Sequence, residues 1–129
     1  MKKLKDIFLS ARAALSGSQN LSPLAEWFHV GFDDAIIRLQ VSPPKQESWV
    51  AEIRWERIVR VCFNAGDLDN PDVIYIFTDE RPESYSIPSE ADIDEKLWNE
   101  ILRRKLFDAE VAIEAMSSMN KLFCYPAIE

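Results

Sequence analysis

The stretch from Trp49 to Phe63 constrains the fold most, because its apolar residues recur at every second position. These positions are Trp49, Ala51, Ile53 and Trp55 before Glu56, and Val59, Val61 and Phe63 after Arg57. A period of two is typical of a β-strand with one buried face. We therefore predict two adjacent antiparallel strands, over 49–55 and 58–63, joined by a tight corner.

Other segments also have the composition of strands. The predicted strands are 26–32, 35–41, 73–77 and 85–87. The first two flank the turn-forming pair Asp33-Asp34, which predicts a hairpin. The nearly continuous apolar run 73–77 predicts a strand that is buried on both faces. The apolar tail 122–126 is expected to pack back on the body.

An amphipathic helix is predicted over residues 2–15, followed by a linker that reaches residue 22. Its apolar face consists of Leu4, Ile7, Phe8, Ala11 and Leu15. We expect this helix to pack on its own domain. Its basic character and Phe8 leave a second interpretation open, in which the helix lies on a membrane surface.

Two more helices are predicted near the carboxyl end, over 93–104 and 108–119. Ser89 and Asp92 have the spacing of a capping box before the first of them. Asp108 is expected to cap the second. The residues expected to face inward in the second helix are Val111, Ala112, Ala115, Met116 and Met119.

This order of elements predicts an α+β protein. The predicted architecture is a curved antiparallel sheet, or a partly open barrel, capped by the C-terminal helices. An N-terminal amphipathic helix is added to it. We predict two parts, residues 1–22 as helix and linker and residues 23–129 as a single domain, which is a size that can bury its own core.

The charge of the chain is negative and unevenly distributed. The 129 residues carry a formal net charge of −7. Residues 1–22 contain four cations against Asp6, a net of +3, which leaves −10 for the remainder. Such a body repels nucleic acid, whose binding needs a basic surface. The sequence has no signal peptide and no apolar run of about 20 residues, so we expect a cytoplasmic protein that does not span a membrane.

Few side chains in the sequence are suited to catalysis or metal binding. His29 is the single histidine, and it lies among aromatic residues. No nucleophile elbow or glycine-rich phosphate loop is present. One histidine and two separated cysteines do not make a usual zinc site. The acidic turn 64–72 lacks the ligand spacing of a calcium loop. We therefore expect no enzyme activity, no metal and no cofactor.

The two cysteines, Cys62 and Cys124, are far apart in the sequence. Thiols stay reduced in the cytoplasm. We therefore expect two reduced thiols, and a single disulfide between them is the alternative.

Several short motifs have a counterpart in a known group of proteins. These motifs are Trp55-Glu-Arg-Ile, Ile74-Tyr-Ile-Phe-Thr, Tyr85-Ser-Ile-Pro-Ser-Glu-Ala91, Leu97-Trp and Phe123-Cys-Tyr-Pro126. With them the chain resembles a small, uncharacterised group of single-domain bacterial proteins with a pleckstrin-homology-like (PH-like) fold. That group carries small residues or glycine after the Glu-Ala, where this chain has Asp92-Ile-Asp94. The resemblance implies a fold but no ligand.

The segment 67–100 is strongly acidic, with eleven acids against two bases. Solubility and helix capping explain part of this excess. They do not explain Asp79, Glu80 and Glu83, which lie on a predicted turn beside Tyr85. We take these four residues as a candidate surface for a protein partner.

The sequence favours a non-enzymatic, cytoplasmic protein-binding module. A more specific version is an immunity protein that neutralises a basic toxin domain. A small hydrolase that uses His29 is the alternative from a different class.

Overall fold

The computed structural model describes residues 24–126, which contain seven strands and three helices. The strands are β1 (Phe28–Phe32), β2 (Ile36–Val41), β3 (Trp49–Arg54), β4 (Ile58–Ala65), β5 (Val73–Thr78), β6 (Arg81–Pro88) and β7 (Lys121–Tyr125). The helices are α1 (Leu24–Trp27), α2 (Lys96–Arg103) and α3 (Ala109–Met116). The α+β class is confirmed. The predicted helix over 2–15 and the linker after it lie outside the described residues.

A three-stranded antiparallel sheet has the order β1-β2-β3. The predicted hairpin between the first two strands is confirmed. Its turn is held by Asp33, whose carboxylate accepts the backbone N–H groups of Ala35 and Ile36 at 2.8 and 2.9 Å. Aspartate favours such turns because its short side chain reaches backbone donors two or three residues ahead.

The predicted pairing of 49–55 with 58–63 is wrong. Strand β3 pairs with β2, whereas β4 pairs with β5 and β7 in a second sheet. A 3-10 turn over Trp55–Arg57 separates them, and the Trp55 N–H donates to the Ala35 carbonyl at 3.1 Å. Ile53 and Val61 are fully buried in the same core, as the alternation predicts, whereas Trp49 and Val59, on the same predicted faces, are 44% and 52% exposed.

The second sheet has four antiparallel strands in the order β6-β5-β4-β7. The predicted single curved sheet is therefore two sheets, and the described residues form no closed barrel. Strand β6 is longer than the predicted 85–87, because it begins directly after a two-residue turn. The prediction that the tail packs on the body is confirmed, since it forms β7.

The expectation of two reduced cysteines is wrong, because Cys62 and Cys124 form a disulfide. The two residues lie directly opposite each other on β4 and β7. Their Cα atoms are 4.0 Å apart. Facing cysteines of neighbouring antiparallel strands are brought together by the strand pairing itself.

Helix α2 begins later than predicted and has a different cap. The buried carboxylate of Asp92 accepts the N–H groups of Leu97 and Trp98 at 2.7 and 2.9 Å. Asp92 therefore caps α2 from three positions before the N-cap residue Glu95, whose own side chain forms no cap hydrogen bond. Burial raises the pKa of the Asp92 carboxyl group despite these two donors.

Helix α3 is shorter than the predicted 108–119, but its cap is as expected. The Asp108 carboxylate accepts the Val111 N–H at 3.0 Å. Ala112 and Ala115 are buried, whereas Met119 lies beyond the helix and is 64% exposed. The inward orientation predicted for Met119 is therefore wrong.

The segment before α2 contains two residues in the left-handed region. Asp94 and Glu95 have φ values of 58° and 57°. This conformation costs a residue with a side chain roughly 1–2 kcal/mol, whereas glycine adopts it freely. The strained pair lies directly before the first residue of α2.

One core lies between the inner faces of the two sheets and helices α2 and α3. Trp98 is central to it, with its ring 5.1 Å from that of Phe63 and 5.0 Å from that of Phe107. Within residues 24–126, no helix has the length and apolar character needed to cross a bilayer.

Candidate functional site

Asp79 and Glu80 form the turn between β5 and β6. The Asp79 N–H donates to the Arg57 carbonyl at 3.0 Å. This bond joins the turn to the 3-10 turn that connects the two sheets. The Glu80 N–H donates to the Thr78 hydroxyl at 3.3 Å. The two acids are thus positioned by backbone contacts, which hold them against neighbouring cations.

Arginines surround the acids of this turn. The Glu80 carboxylate accepts hydrogen bonds from Arg54 at 3.0 Å and from Arg57 at 3.4 Å. Asp79 forms a second ion pair with Arg57, also at 3.4 Å. The bond from Arg54, and less so that from Arg57, lowers the pKa of Glu80. We call Arg54, Arg57, Asp79 and Glu80 the charged corner.

The charged corner carries no net charge, which differs from the acidic surface that the sequence suggested. Its two arginines were missed because they precede the acids by more than 20 positions in the chain. The signal in the sequence that could have indicated these arginines was their position on either side of Trp55, at the end of a predicted strand. Ion pairs between exposed side chains stabilise a fold little, so the charged corner is better placed for recognition than for stability.

The other two candidate residues lie on β6. The Arg81 guanidinium is 3.8 Å from the centre of the Tyr85 ring, and Tyr85 is half-buried against the core. Arg81 also donates to the backbone carbonyls of Glu83 and Ser84 at 3.0 and 2.9 Å. The Glu83 residue is exposed, and its carboxylate forms no ion pair with the described residues. Among the described residues, neither Glu83 nor Tyr85 shares an ion pair or a side-chain hydrogen bond with the charged corner.

An open groove of about 650 Å³ lies beside the charged corner. Its lining residues are Asp34, Ala35, Arg54, Trp55, Glu56, Arg104 and Leu106. Trp55 is only 6% exposed, and its indole N–H donates to the Asp33 carbonyl oxygen at 2.8 Å. We call this feature the Trp55 groove. It is shared by the β1–β2 turn, the 3-10 turn and the end of α2.

Arg104 covers the indole of Trp55. Its guanidinium lies 4.1 Å from the ring centre, a distance at which the cation is attracted to the ring face. Glu100 accepts a hydrogen bond from the same guanidinium at 2.7 Å. Bonds from Arg103 and Arg104 lower the pKa of Glu100 to about 2. Glu100 therefore remains ionised in mild acid and continues to hold Arg104 over the ring.

His29, the candidate catalytic base, is exposed on β1. Its Nε2 lies 3.2 Å from the Glu26 carbonyl oxygen, which accepts a hydrogen bond when that nitrogen carries the proton. No hydroxyl, thiol or carboxylate of residues 24–126 forms a hydrogen bond with the ring. A triad needs such contacts between nucleophile, base and orienting group.

The acidic turn 64–72 uses its carboxylates to hold its own backbone. Asp67 accepts the N–H groups of Asp69 and Asn70, both at 2.8 Å. The Asp72 carboxylate accepts the Gly66 N–H at 2.8 Å. Over the part of the chain that the structure describes, no three His, Cys, Asp or Glu side chains lie together as a metal site would need.

The Trp55 groove and the charged corner are therefore the site best suited to binding. They combine guanidinium groups and carboxylates, which recognise polar surfaces, above an indole that is itself buried. Comparison of the chain with protein-family models, with curated proteins and with solved structures finds no match.

Proposed function

We propose that the chain is a non-enzymatic protein-binding module whose partner docks on the Trp55 groove and the charged corner. The observation that carries this proposal is the groove itself, where Arg104 lies on Trp55 beside an open volume of about 650 Å³. Arginine is enriched among the residues that dominate protein interfaces. The buried Trp55 ring positions Arg104 at the wall of the groove. A nearby set of both charge signs provides specificity and orientation.

The proposal includes a PH-like fold. Two antiparallel sheets, followed by helices that pack in the same core, support that assignment. Strand β7 follows the helices and is an addition to the expected order. Phosphoinositide binding is not part of the proposal, because the strands of the sequence do not supply the basic pocket it needs.

An immunity protein that neutralises a basic toxin domain is the more specific version. The net charge of −7 and the exposed Glu83 support it. The ion pairs of Asp79 and Glu80 weaken its support, since they reduce the charge available to a basic partner. A toxin gene directly upstream would favour this version. A hydrolase that uses His29 is not supported by any contact of the His29 ring with a nucleophile or an orienting carboxylate among the described residues.

Two charge reversals distinguish the groove from the acidic surface of β6. Glu56→Lys changes the wall of the Trp55 groove, and Glu83→Lys changes the surface of β6. Neither glutamate forms an ion pair with the described residues, so both variants should fold normally. We expect Glu56→Lys to weaken capture of the native partner by roughly threefold to tenfold, as a rim charge does. The measurement is quantitative affinity capture followed by association rates at low and high salt.

Glu47→Lys is the matched control. Glu47 is also an exposed glutamate, in the loop before β3, at the opposite end of that strand from the groove. Unchanged binding in Glu56→Lys would contradict the proposed docking site. If Glu83→Lys alone slows association, and salt slows the wild type similarly, the immunity version replaces the groove proposal.

A cytoplasmic location is also part of the proposal. The Cys62–Cys124 bridge is an argument against it, because the cytoplasm keeps thiols reduced. The state of this cysteine pair in intact cells therefore tests the proposed location. Acid quenching followed by alkylation and mass spectrometry measures this directly. A bridge already present in intact cells would exclude a reducing compartment.

A further inference from the structure

Strand β5 has large apolar side chains on both of its faces. Ile74 and Ile76 point inward and are buried in the core. Val73, Tyr75 and Phe77 point to the other side and are only half-buried. An antiparallel sheet with one wet face normally alternates apolar and polar residues. The continuous apolar run of β5 is instead typical of a strand that is covered on both faces.

Neighbouring strands extend this second surface. Cys62 lies opposite Tyr75, and Cys124 lies opposite Cys62. Leu122 alternates with the buried Phe123 on β7 and is 51% exposed. Arg60 and Asn64 share this side of the sheet, opposite Phe77 and Val73. We call the surface made by Val73, Tyr75, Phe77, the disulfide, Leu122 and these two residues the outer face.

The other described elements lie against the opposite side of this sheet. Helices α2 and α3 and the three-stranded sheet place their buried side chains in the core, together with the inward residues of β4 and β5. Val73, Tyr75 and Phe77 belong neither to that core nor to the partly buried residues packed against it. Residues 24–126 therefore place no helix and no second sheet on the outer face, in which Cys62 is 2% exposed.

We propose that residues 2–15 form a helix that docks on the outer face through Leu4, Ile7, Phe8, Ala11 and Leu15. A helix of this length is about 20 Å long. Four paired strands are about 14 Å wide, so the helix can cross the whole sheet. Docking would remove both the apolar side of this helix and the apolar side chains of the outer face from water.

The path of the chain supports this occupant. Helix α1, where the described residues begin, contacts the 3-10 turn Ser89–Ala91. That turn directly follows β6, whose Pro88 pairs with Val73 at the edge of the outer face. The eight residues 16–23 can span up to about 26 Å, which is enough to reach the middle of the sheet.

Charge also favours this segment over a second copy of the protein. Residues 1–22 carry a net of +3, and the remainder of the chain carries −10. A basic segment is attracted to the acidic body, whereas two acidic bodies repel each other.

Hydroxyl-radical footprinting of the full chain tests the proposal. Ile7→Asp combined with Phe8→Asp places two charges in the apolar stripe, outside the described fold. We expect the oxidation rates of Tyr75 and Phe77 to rise about threefold or more, since these rings lose their contacts with the helix. The rate of Trp49, which is 44% exposed on the other sheet, should not change.

Ser10→Asp combined with Ala13→Asp is the matched control, because it adds the same charge on the opposite side of the helix. Equal oxidation of Tyr75 in the wild type and both variants would overturn the proposal. A rate in the wild type that rises on dilution would show that a second copy covers the outer face. A rate that rises when anionic vesicles are added, to the level of the stripe variant, would show that lipid is the preferred site of the segment. Both of these outcomes also overturn the proposal.

Discussion

Replacement of Gly66 by alanine is expected to lower the free energy of unfolding by about 3 kcal/mol or more. A Cβ atom at this position would lie 2.0 Å from the Asn70 carbonyl oxygen and 2.6 Å from that of Pro71. Both contacts are with backbone, which cannot rotate away as a flexible side chain can. The loop 67–71 would have to move outward to admit a methyl group.

The loop resists that movement because several hydrogen bonds hold it against Gly66. The Asp67 N–H donates to the Asn70 carbonyl at 2.9 Å, which closes the turn. The Asp67 carboxylate also accepts the Asn70 side-chain amide at 3.0 Å. The Gly66 carbonyl accepts the Asn120 N–H at 3.2 Å and so links this loop to the start of β7.

Gly31→Ala is the control for this prediction. No atom lies within 4 Å of the Cβ that alanine would add on the edge strand β1. Alanine there should be neutral or slightly stabilising, by up to about 1 kcal/mol, because it restricts the unfolded chain. Urea unfolding followed by circular dichroism measures both variants. Equal midpoints for the two variants would contradict the tight packing at Gly66.

Replacement of Asp92 by alanine is expected to lower the free energy of unfolding by about 2–4 kcal/mol at neutral pH. The change removes the acceptor for the Leu97 and Trp98 N–H groups, which are buried at the start of α2. Buried donors without a partner cost more than exposed ones, because water does not replace the lost bond. Relief of the buried negative charge offsets part of this loss.

Asp108→Ala is the control for the cap of α2. Asp108 caps α3 through one bond to Val111 and is only partly buried. Its loss should cost about 1 kcal/mol, as for an ordinary cap. A smaller effect for Asp92→Ala than for Asp108→Ala, in the same urea experiment, would show that the buried cap does not hold α2.

The effect of Asp92 should also depend on pH. Burial raises its pKa above the ordinary value of 3.8, so the folded protein binds the proton more tightly than the unfolded chain. The stability linked to this proton is present below 3.8 and is lost as the pH rises through the raised pKa. The difference between wild type and Asp92→Ala should therefore shrink from acid to alkaline pH. Glu100 acts in the opposite direction, since its pKa of about 2 is lowered, but its contribution cancels in that difference.

The candidate site was only partly predictable. The sequence indicated Asp79, Glu80 and Glu83 as an acidic group beside Tyr85, but the first two are neutralised by Arg54 and Arg57. These pairs join residues of two sheets, and no local spacing rule relates them. The Trp55 groove was missed for the same reason, because Arg104 reaches Trp55 from a helix about fifty positions later in the chain.

The sequence by itself determined the burial of several central side chains and where several elements begin. Alternation placed Ile53 and Val61 inside, and both are fully buried. The turn at Asp33 and the cap at Asp108 also follow from local chemistry, since each carboxylate binds N–H groups within three residues. These features depend on neighbours in the chain and are visible without a fold.

Only the tertiary structure decided which strands are partners. The alternation of β3 and β4 is equally satisfied by one sheet or by two sheets that share a core. The disulfide joins Cys62 to Cys124 across 62 positions and depends on β7 returning to β4. Which strands pair depends on how their buried faces fill the core together. Separation along the chain decides little, because the entropy cost of closing a loop grows only slowly with its length.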